Sequence, residues 1–471
     1  MATLPPGPRL PQIAQWLGYG FFPYAWFRRC AARHGDAWTM RMMGETYVVL
    51  SDPAAVREVF TGSPDDLHSG EANQPLRSLI GRRNVLLLDG DEHLQRRRLV
   101  LPPFHGDHLK AYEAIIRDVA RRELAGWTAG RPMAALPRMR AITYEVILRA
   151  VFGVDDRPRL RRLERELDDL LGWLTGLRQG IIFGLLGPER IEGQRRFRRE
   201  RAAVDAEVLA HIAARRADPR LDERDDVLSM LLRARDADGR GLPDDEIRDE
   251  LVTLLVAGHE TTSALLAWAI HDLARRPELL ARLAAGEPGF AEAVVREALR
   301  LHPPVPIVVR RLQRPLRIAG LDLPAGVTVA PCAAVVHRRP DLYPDPDRFD
   351  PDRFVGTSPP TYGWLPFGGG VRRCIGAAFA TMEARIVLEE LAARWALAPA
   401  RPAPERVGRR GVVIVPARGG RVVVSARPAP SALAEGAQDV GRRLGDVHDA
   451  QDQEGGADER AGLVGVERRA P

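Results

Sequence analysis

Residues 367–376 read Phe367-Gly368-Gly369-Gly370-Val371-Arg372-Arg373-Cys374-Ile375-Gly376, three glycines and two arginines leading to a cysteine. The glycines allow a tight backbone that another group can approach closely. Apolar periodicity resumes at Ile375, so the cysteine stands just ahead of a helix running to about Trp395. Backbone N–H groups and a helix N-terminus favour a thiolate at such a place, and a thiolate can ligate iron. A lone cysteine is by default a small buried hydrophobe, so by itself this run leaves both readings open. It does exclude a phosphate cradle: no lysine followed by Ser or Thr closes the loop, and the chain's one lysine, Lys110, is elsewhere.

Working outward, the longest helical signal covers residues 244–276, opened by Asp244, Asp245 and Glu246 and closed by Arg275 and Arg276 before Pro277. At about 1.5 Å per residue it spans about 50 Å, so it crosses a core. Its middle, Ala257-Gly258-His259-Glu260-Thr261-Thr262, is a polar insert in an otherwise apolar run, and buried polar groups must find partners. Nothing marks His259 as a ligand, and a satisfied or exposed histidine is expected there. Glu297 and Arg300 stand at i,i+3 on one helix face, and His93 and Arg97 at i,i+4 on an earlier one.

Around these motifs, residues 38–42 and 47–50 flank Gly44-Glu45 as a hairpin, and residues from about 90 to 300 are mostly helical, as in Leu160, Leu163, Leu167, Leu170, Leu171 and Leu174. After Pro303 come Pro-rich turns and short β runs at 316–318, 327–329, 412–415 and 422–424. The fold class is therefore mainly α with a small β-rich lobe. Residues 1–427 are expected to form one domain, and 428–471, which lose periodicity, a disordered tail.

The run 367–376 resembles the haem-binding loop of the cytochrome P450 family, Phe-Gly-x-Gly-x-Arg/His-x-Cys-x-Gly, at every specified position. The resemblance implies haem b (iron protoporphyrin IX) with Cys374 as the axial thiolate of its iron, Phe367 packed against the sulfur, and Gly376 letting the next helix approach the macrocycle. That thiolate pushes electron density towards bound oxygen. The 257–262 insert is similar to the family's Ala/Gly-Gly-x-Asp/Glu-Thr. It implies that Gly258 leaves room for oxygen and that Thr261 with Glu260 forms an acid–alcohol pair relaying protons. Glu297, Arg300 and Arg353, the last within Phe349-Asp350-Pro351-Asp352-Arg353-Phe354, look like the family's structural charge network. His93, Arg97, Arg310 and Arg372 match positions that hold the haem propionates, and strand alternation lets only one of Arg310 and Arg311 face inward. The resemblance covers residues 5 to 427 and implies a triangular helical body around a long central helix.

The implied activity is a monooxygenase that inserts one atom of O2 into a lipophilic substrate, hydroxylating or epoxidising a fatty acid, terpenoid or polyketide. The opening Pro5-Pro6-Gly7-Pro8-Arg9-Leu10-Pro11 and the run 337–341 look closer to bacterial relatives of fatty-acid-oxidising types than to camphor types. Residues 76–85, 181–186, 305–309 and 412–413 are expected to line the pocket or its mouth. A peroxide-driven enzyme, whether peroxygenase or hydroperoxide isomerase, would have little need of the Glu260–Thr261 pair, and a haem sensor or carrier would need neither relay nor pocket. No flavin or iron–sulfur motif is present, so a separate donor is implied, a ferredoxin or flavodoxin with its NAD(P)H-dependent reductase. Arg96, Arg98 and Arg373 are candidates for its docking face.

Composition agrees with a globular chain: 471 residues, 45% hydrophobic and 28% charged, with a net charge of +6 carried almost wholly by arginine and spread along the sequence. A nucleic-acid partner would need a clustered basic stripe, so none is expected. Three scattered cysteines, Cys30, Cys332 and Cys374, fit a reducing compartment, and neither a signal peptide nor an apolar run of about 18 residues appears. A cytoplasmic monomer without a transmembrane anchor is the expectation.

Overall fold

The computed structural model describes residues 4–42, 44–154, 156, 162–163, 165–170, 173, 192–236 and 238–427. The expected pocket segment 181–186 and the tail 428–471 lie outside them. The chain divides into a compact unit, Met1–Ser425, and a second, Ala426–Pro471; the first carries every motif above.

The central helix is Asp244–Leu273, 30 residues long, with Asp244, Asp245 and Glu246 in its first turn complementing the helix dipole. It stops three residues short of the expected end. Pro277 is the first residue of the next helix, Pro277–Ala284, and it drives Arg276 out of helical geometry, to φ −138° and ψ 74°. Among the described residues it is the one helix long and apolar enough to cross a membrane, but 72% of that apolar window is buried inside the molecule. The helices Ala135–Phe152, Arg195–Arg216, Phe290–Leu301 and Ala377–Arg394 pack around it. Leu163, Leu167 and Leu170 of the expected leucine stripe are helical and buried in the same core.

The β-rich lobe is built on a five-stranded sheet in the order Ala37–Met42, Glu45–Leu50, Thr328–Pro331, Arg310–Leu312, Leu67–His68. Ala37–Met42 and Glu45–Leu50 form the expected hairpin, closing with Met42 opposite Glu45, and Gly44 takes φ +80° in the turn. Thr328–Pro331 runs parallel to Glu45–Leu50, which joins the N-terminal hairpin to chain far along the sequence. A separate hairpin, Val407–Arg410 with Val413–Pro416, packs its second strand on the central helix.

Candidate active site

The 367–376 loop is folded back on itself. The Cys374 N–H donates to the Phe367 carbonyl at 2.9 Å and the Arg373 N–H to the Gly370 carbonyl at 3.0 Å. Gly370 adopts φ +64°, and a Cβ there would stand 2.1 Å from the Phe60 carbonyl oxygen; at Gly369 it would stand 2.1 Å from the Phe60 ring. Close seating on Phe60 is thus why this loop is made of glycine. Phe367 is half-buried with its ring edge-on to Trp364, centroids 5.8 Å apart.

Cys374 has exposed surface, yet burial pushes its thiol above the usual value, against the Gly376 N–H, Arg97 and Arg373, which favour the thiolate. A side chain that is both exposed and desolvated borders an enclosed space. The loop was expected to favour the thiolate by itself; in the protein alone desolvation outweighs the dipoles, and a metal ion at the sulfur would reverse the balance. Gly376 has an ordinary φ of −84°, and a Cβ added to it would meet nothing within 4 Å. Neither backbone strain nor a protein neighbour explains this glycine.

Beside the loop lies a cluster of cations. Arg310 is buried and donates to Ser69 Oγ at 3.2 Å, the Val309 carbonyl at 2.8 Å and the Gly369 carbonyl at 3.5 Å. Arg311 points the other way, to Glu45 at 2.6 Å and Glu71 at 3.0 Å, so Arg310 is the inward residue. Arg372 donates to the Val85 carbonyl at 3.2 Å, to the Leu88 carbonyl and to Asp89. Arg97 is half-buried, and its guanidinium has no hydrogen bond or ion pair among the described residues. Burial lowers Arg310 and Arg372 to about 10, and each feels a neighbouring arginine. His93, 1% exposed, is lowered to about 3 by burial and then by Arg372 and Arg97, and its Nδ1 has no partner. Asp89 is the one carboxylate among these groups. Sequence reasoning missed it, although its position at the mouth of the His93 helix, Gly90–Val100, was a usable signal.

On the central helix, residues 251–273 are buried except at 254, 256, 257, 258 and 261. Leu254, Ala257, Gly258 and Thr261 fall at i, i+3, i+4 and i+7 and form one open stripe on a helix otherwise enclosed. Thr261 Oγ1 donates to the Ala257 carbonyl at 2.7 Å. Glu260 leaves the helix a quarter-turn away. It meets Arg410 Nε at 3.0 Å, Arg140 at 3.1 Å and His259 Nε2 at 3.3 Å. Burial opposes its charge, but His259, Arg140 and Arg410 prevail and hold it near 2. The structure therefore does not pair Glu260 with Thr261: successive helical residues diverge by about 100°, and the arginines claim the acid. Gly258 also differs from expectation. Its missing Cβ would lie 3.0 Å from Ile147 Cδ1, so the space it leaves is taken by the neighbouring helix. Ala257 is the exposed small residue of the pair. His259 is neither exposed nor satisfied: it is fully buried against Tyr144, at 4.6 Å between rings, and neither ring nitrogen has a geometrically sound hydrogen bond. Arg140 and Arg410 were also missed, because only tertiary structure brings them to Glu260.

The charge network is buried at Glu297 and Arg300. Arg300 forks onto Glu297 at 2.6 and 2.8 Å, and donates further to the carbonyls of His337, Pro346 and Arg348. Glu297 also accepts the Asp350 N–H at 2.8 Å, and Arg353 Nε stands 3.6 Å from it. His337 carries the connection to the cysteine loop: its Nε2 accepts the Leu365 N–H at 2.6 Å while Nδ1 faces the Arg300 carbonyl at 3.0 Å, which fixes the neutral Nδ1–H tautomer.

Two expectations change. Arg96 is buried and paired with Glu250 at 3.0 Å and with Glu246, because it lies on the inner face of its helix; Arg98 and Arg373 are the exposed members of that set. Leu79, Ile80 and Val85 belong to the main core, and Val413 packs with Ala264 and Val415, whereas Val305, Ile307, Val308 and Val309 keep open surface.

These features test the fit of a haem. A cysteine on an enclosed space, a glycine facing emptiness, an orphaned histidine nitrogen, and three arginines balanced by one carboxylate suit a flat macrocycle with a metal centre and two carboxylates.

Comparison with known proteins agrees. The cytochrome P450 family model matches residues 4–285 and 289–421. Cytochrome P450 135B1 of Mycobacterium tuberculosis is 43% identical over 451 residues, covering 92% of this chain and 93% of that protein. Cytochrome P450 138 of the same species is 39% identical over 440 residues, 91% and 97% of the two chains. Among solved structures, the haem domain of cytochrome P450DA superposes with TM-score 0.79 at 25% identity over 91% of this chain and 99% of its own. The retinoic acid-bound cyanobacterial CYP120A1 does so with TM-score 0.79 at 24%, over 91% and 100%, a likeness of fold. With its sequence matched almost end to end and its fold shared with solved members, this chain belongs to the cytochrome P450 family of haem monooxygenases.

Proposed function

We propose that residues 1–427 form a haem-thiolate monooxygenase domain that hydroxylates or epoxidises a lipophilic molecule of fatty-acid, terpenoid or polyketide class. The reaction takes one molecule of O2, two electrons and two protons, leaving one oxygen atom in the product and one in water. The observation that carries this reading is the open stripe of Leu254, Ala257, Gly258 and Thr261 on an otherwise buried helix, in a chain whose cysteine borders an enclosed space. The haem, when bound, supplies O2 binding and the redox chemistry.

In this reading Cys374 would supply the thiolate that holds the haem iron, and His93, Arg97, Arg310 and Arg372 would hold the propionates. Phe367 and Gly376 would border the macrocycle beside the cysteine. Ala257 keeps the stripe shallow, Gly258 lets the helix of Ile147 approach behind it, and Thr261 offers the one hydroxyl on the stripe. Glu260 stores its charge between Arg140 and Arg410 and passes protons only after exchanging one of these partners for water. Glu297, Arg300 and Arg353 are positioning residues for the loop. Electrons come from a ferredoxin or flavodoxin with its reductase, docking on the exposed Arg98 and Arg373. A cytoplasmic setting and a monomeric state are part of the same proposal.

The test is a titration of the purified haem protein with fatty acids, terpenes and macrocyclic polyketides, read as the spin-state shift that follows expulsion of iron-bound water. A shift confined to one class, followed by an oxygenated product with a reducing system, supports the reading. Haem binding with no turnover under any reductant overturns it. One observation favours a peroxide-driven alternative: Glu260 is clamped by two arginines. Turnover with hydrogen peroxide at a rate no reductant system matches would establish that route.

A further inference from the structure

Asp89 stands at the N-cap of the helix Gly90–Val100, where an aspartate ordinarily accepts an N–H from the first turn of its own helix. Its side chain makes no such bond. Instead Oδ1 accepts the Gly70 N–H and Oδ2 the Glu71 N–H, each at 2.8 Å, and Oδ1 also meets Arg372. The seating is close: a Cβ on Gly70 would stand 2.1 Å from the Leu87 carbonyl oxygen and 2.8 Å from Asp89 Oδ2. On the outer side His68 Nδ1 lies 3.8 Å from Oδ2 and 3.7 Å from Glu71. A single carboxylate, 15% exposed, thus ties the turn at 69–71 and the start of the helix Gly90–Val100 to the cysteine loop.

Both inward arginines depend on that tie. Arg372 takes Asp89 directly, together with the carbonyls of Val85 and Leu88 just before it. Arg310 takes Ser69 Oγ at 3.2 Å, on the residue preceding Gly70. The charge of Asp89 also favours the protonated forms of His93, Arg310 and Arg372. With His93 neutral, Arg97, Arg310 and Arg372 would face the two carboxylates of a haem with one positive charge left over. Asp89 removes that excess, and an uncompensated charge in a partly desolvated cluster is what a fold avoids.

We propose that Asp89 is a positioning residue for the haem carboxylates: it orients Arg372 directly and Arg310 through Ser69, and its charge gives bound haem a lower reduction potential than the arginines alone would. This rests on the reading that Arg310 and Arg372 hold the propionates. Removing a negative charge beside a haem favours the ferrous form, which carries one electron more.

The experiment is a redox titration of the haem-loaded full chain, read from its haem absorption, with haem transfer to apomyoglobin alongside. Asp89→Asn should raise the potential, favouring the ferrous form about tenfold, about 59 mV for one electron, and should speed haem loss several-fold. Arg372→Gln should speed haem loss as well but lower the potential. Opposite shifts are the mark of charge, since a loosened fold moves both variants the same way. Asp89→Glu keeps the charge on a longer side chain and should hold the parental potential. An Arg372→Gln protein unchanged in both readouts removes the propionate assignment, and this proposal with it. An Arg372→Gln protein changed in both, beside an Asp89→Asn protein whose potential stays where it was, overturns the proposal alone and makes Asp89 a brace of the fold. If Asp89→Asn takes up no haem, Asp89→Glu decides: haem bound at the parental potential supports the proposal, and failure to bind haem or a raised potential overturns it.

Discussion

Arg310 and Arg311 are adjacent and chemically identical, and their surroundings separate them. Arg310 is buried among carbonyls and other cations, and Arg311 is neutralised by two carboxylates at the surface. A charge-assisted hydrogen bond to a buried anion contributes about 1.5–3 kcal/mol, so Arg310→Ala should weaken haem retention about tenfold to a hundredfold. Arg311→Ala removes a partly exposed pair worth at most about 1 kcal/mol of stability and should leave haem retention alone. Haem transfer to apomyoglobin measures both. Thr261 gives a second contrast: its hydroxyl bonds to its own helix, so Thr261→Ala should leave the fold intact while lowering product formed per reductant consumed several-fold, with the difference released as peroxide. Equal coupling in the variant would remove Thr261 from proton delivery.

At the scale of elements, the glycine loop and the helix after it answer to different neighbours. Gly370→Ala would place a methyl group against the Phe60 carbonyl at a positive φ, so the apoprotein itself should lose about 1–3 kcal/mol and the loop should shift. Gly376→Ala should leave apoprotein stability within about 0.5 kcal/mol while lowering haem affinity. Urea unfolding of the two apoproteins, with haem titration alongside, separates the effects. The central helix was legible in outline from caps and periodicity, and its C-terminus differed only because Pro277 constrains the residue before it. What periodicity could not reveal is which face of a wholly apolar helix stays open, since that depends on the helices around it.

For the whole molecule, several neutral histidines are part of the packing. Burial lowers His93 and His337 to about 3 and His271 to about 4. The unfolded chain binds their protons near pH 6.5 and the folded chain does not. Stability is therefore complete above about pH 6.5 and falls as pH drops towards 3–4, by up to about 2 kcal/mol per histidine at pH 5. Glu250 and Glu383, whose carboxyls burial pushes up, act in the opposite sense, so urea midpoints of the apoprotein at pH 7 and pH 5 should show the histidine loss less the gain from these two carboxyls. Haem binding should reduce the share due to His93, because propionates favour its charged form. A His271→Gln variant, which removes one histidine share and leaves both carboxyls in place, should lose less stability between the two pH values than the parent, and an equal loss would remove His271 from the pH dependence.

Local chemistry made much of this protein readable from its sequence. The glycine loop, Cys374, the Glu297–Arg300 pair and the helix–strand texture depend on spacing along one chain, and spacing is what a sequence records. The partners of Glu260, the inward choice of Arg310, the loss of Arg96 to Glu246 and Glu250, and the occupant of the space beside Gly258 all arise between segments far apart in the chain. Side chains of one type compete there for a few buried acceptors and voids. Only the packed tertiary structure settles which of them wins, because burial multiplies the energy of each polar contact and leaves little room for a second choice.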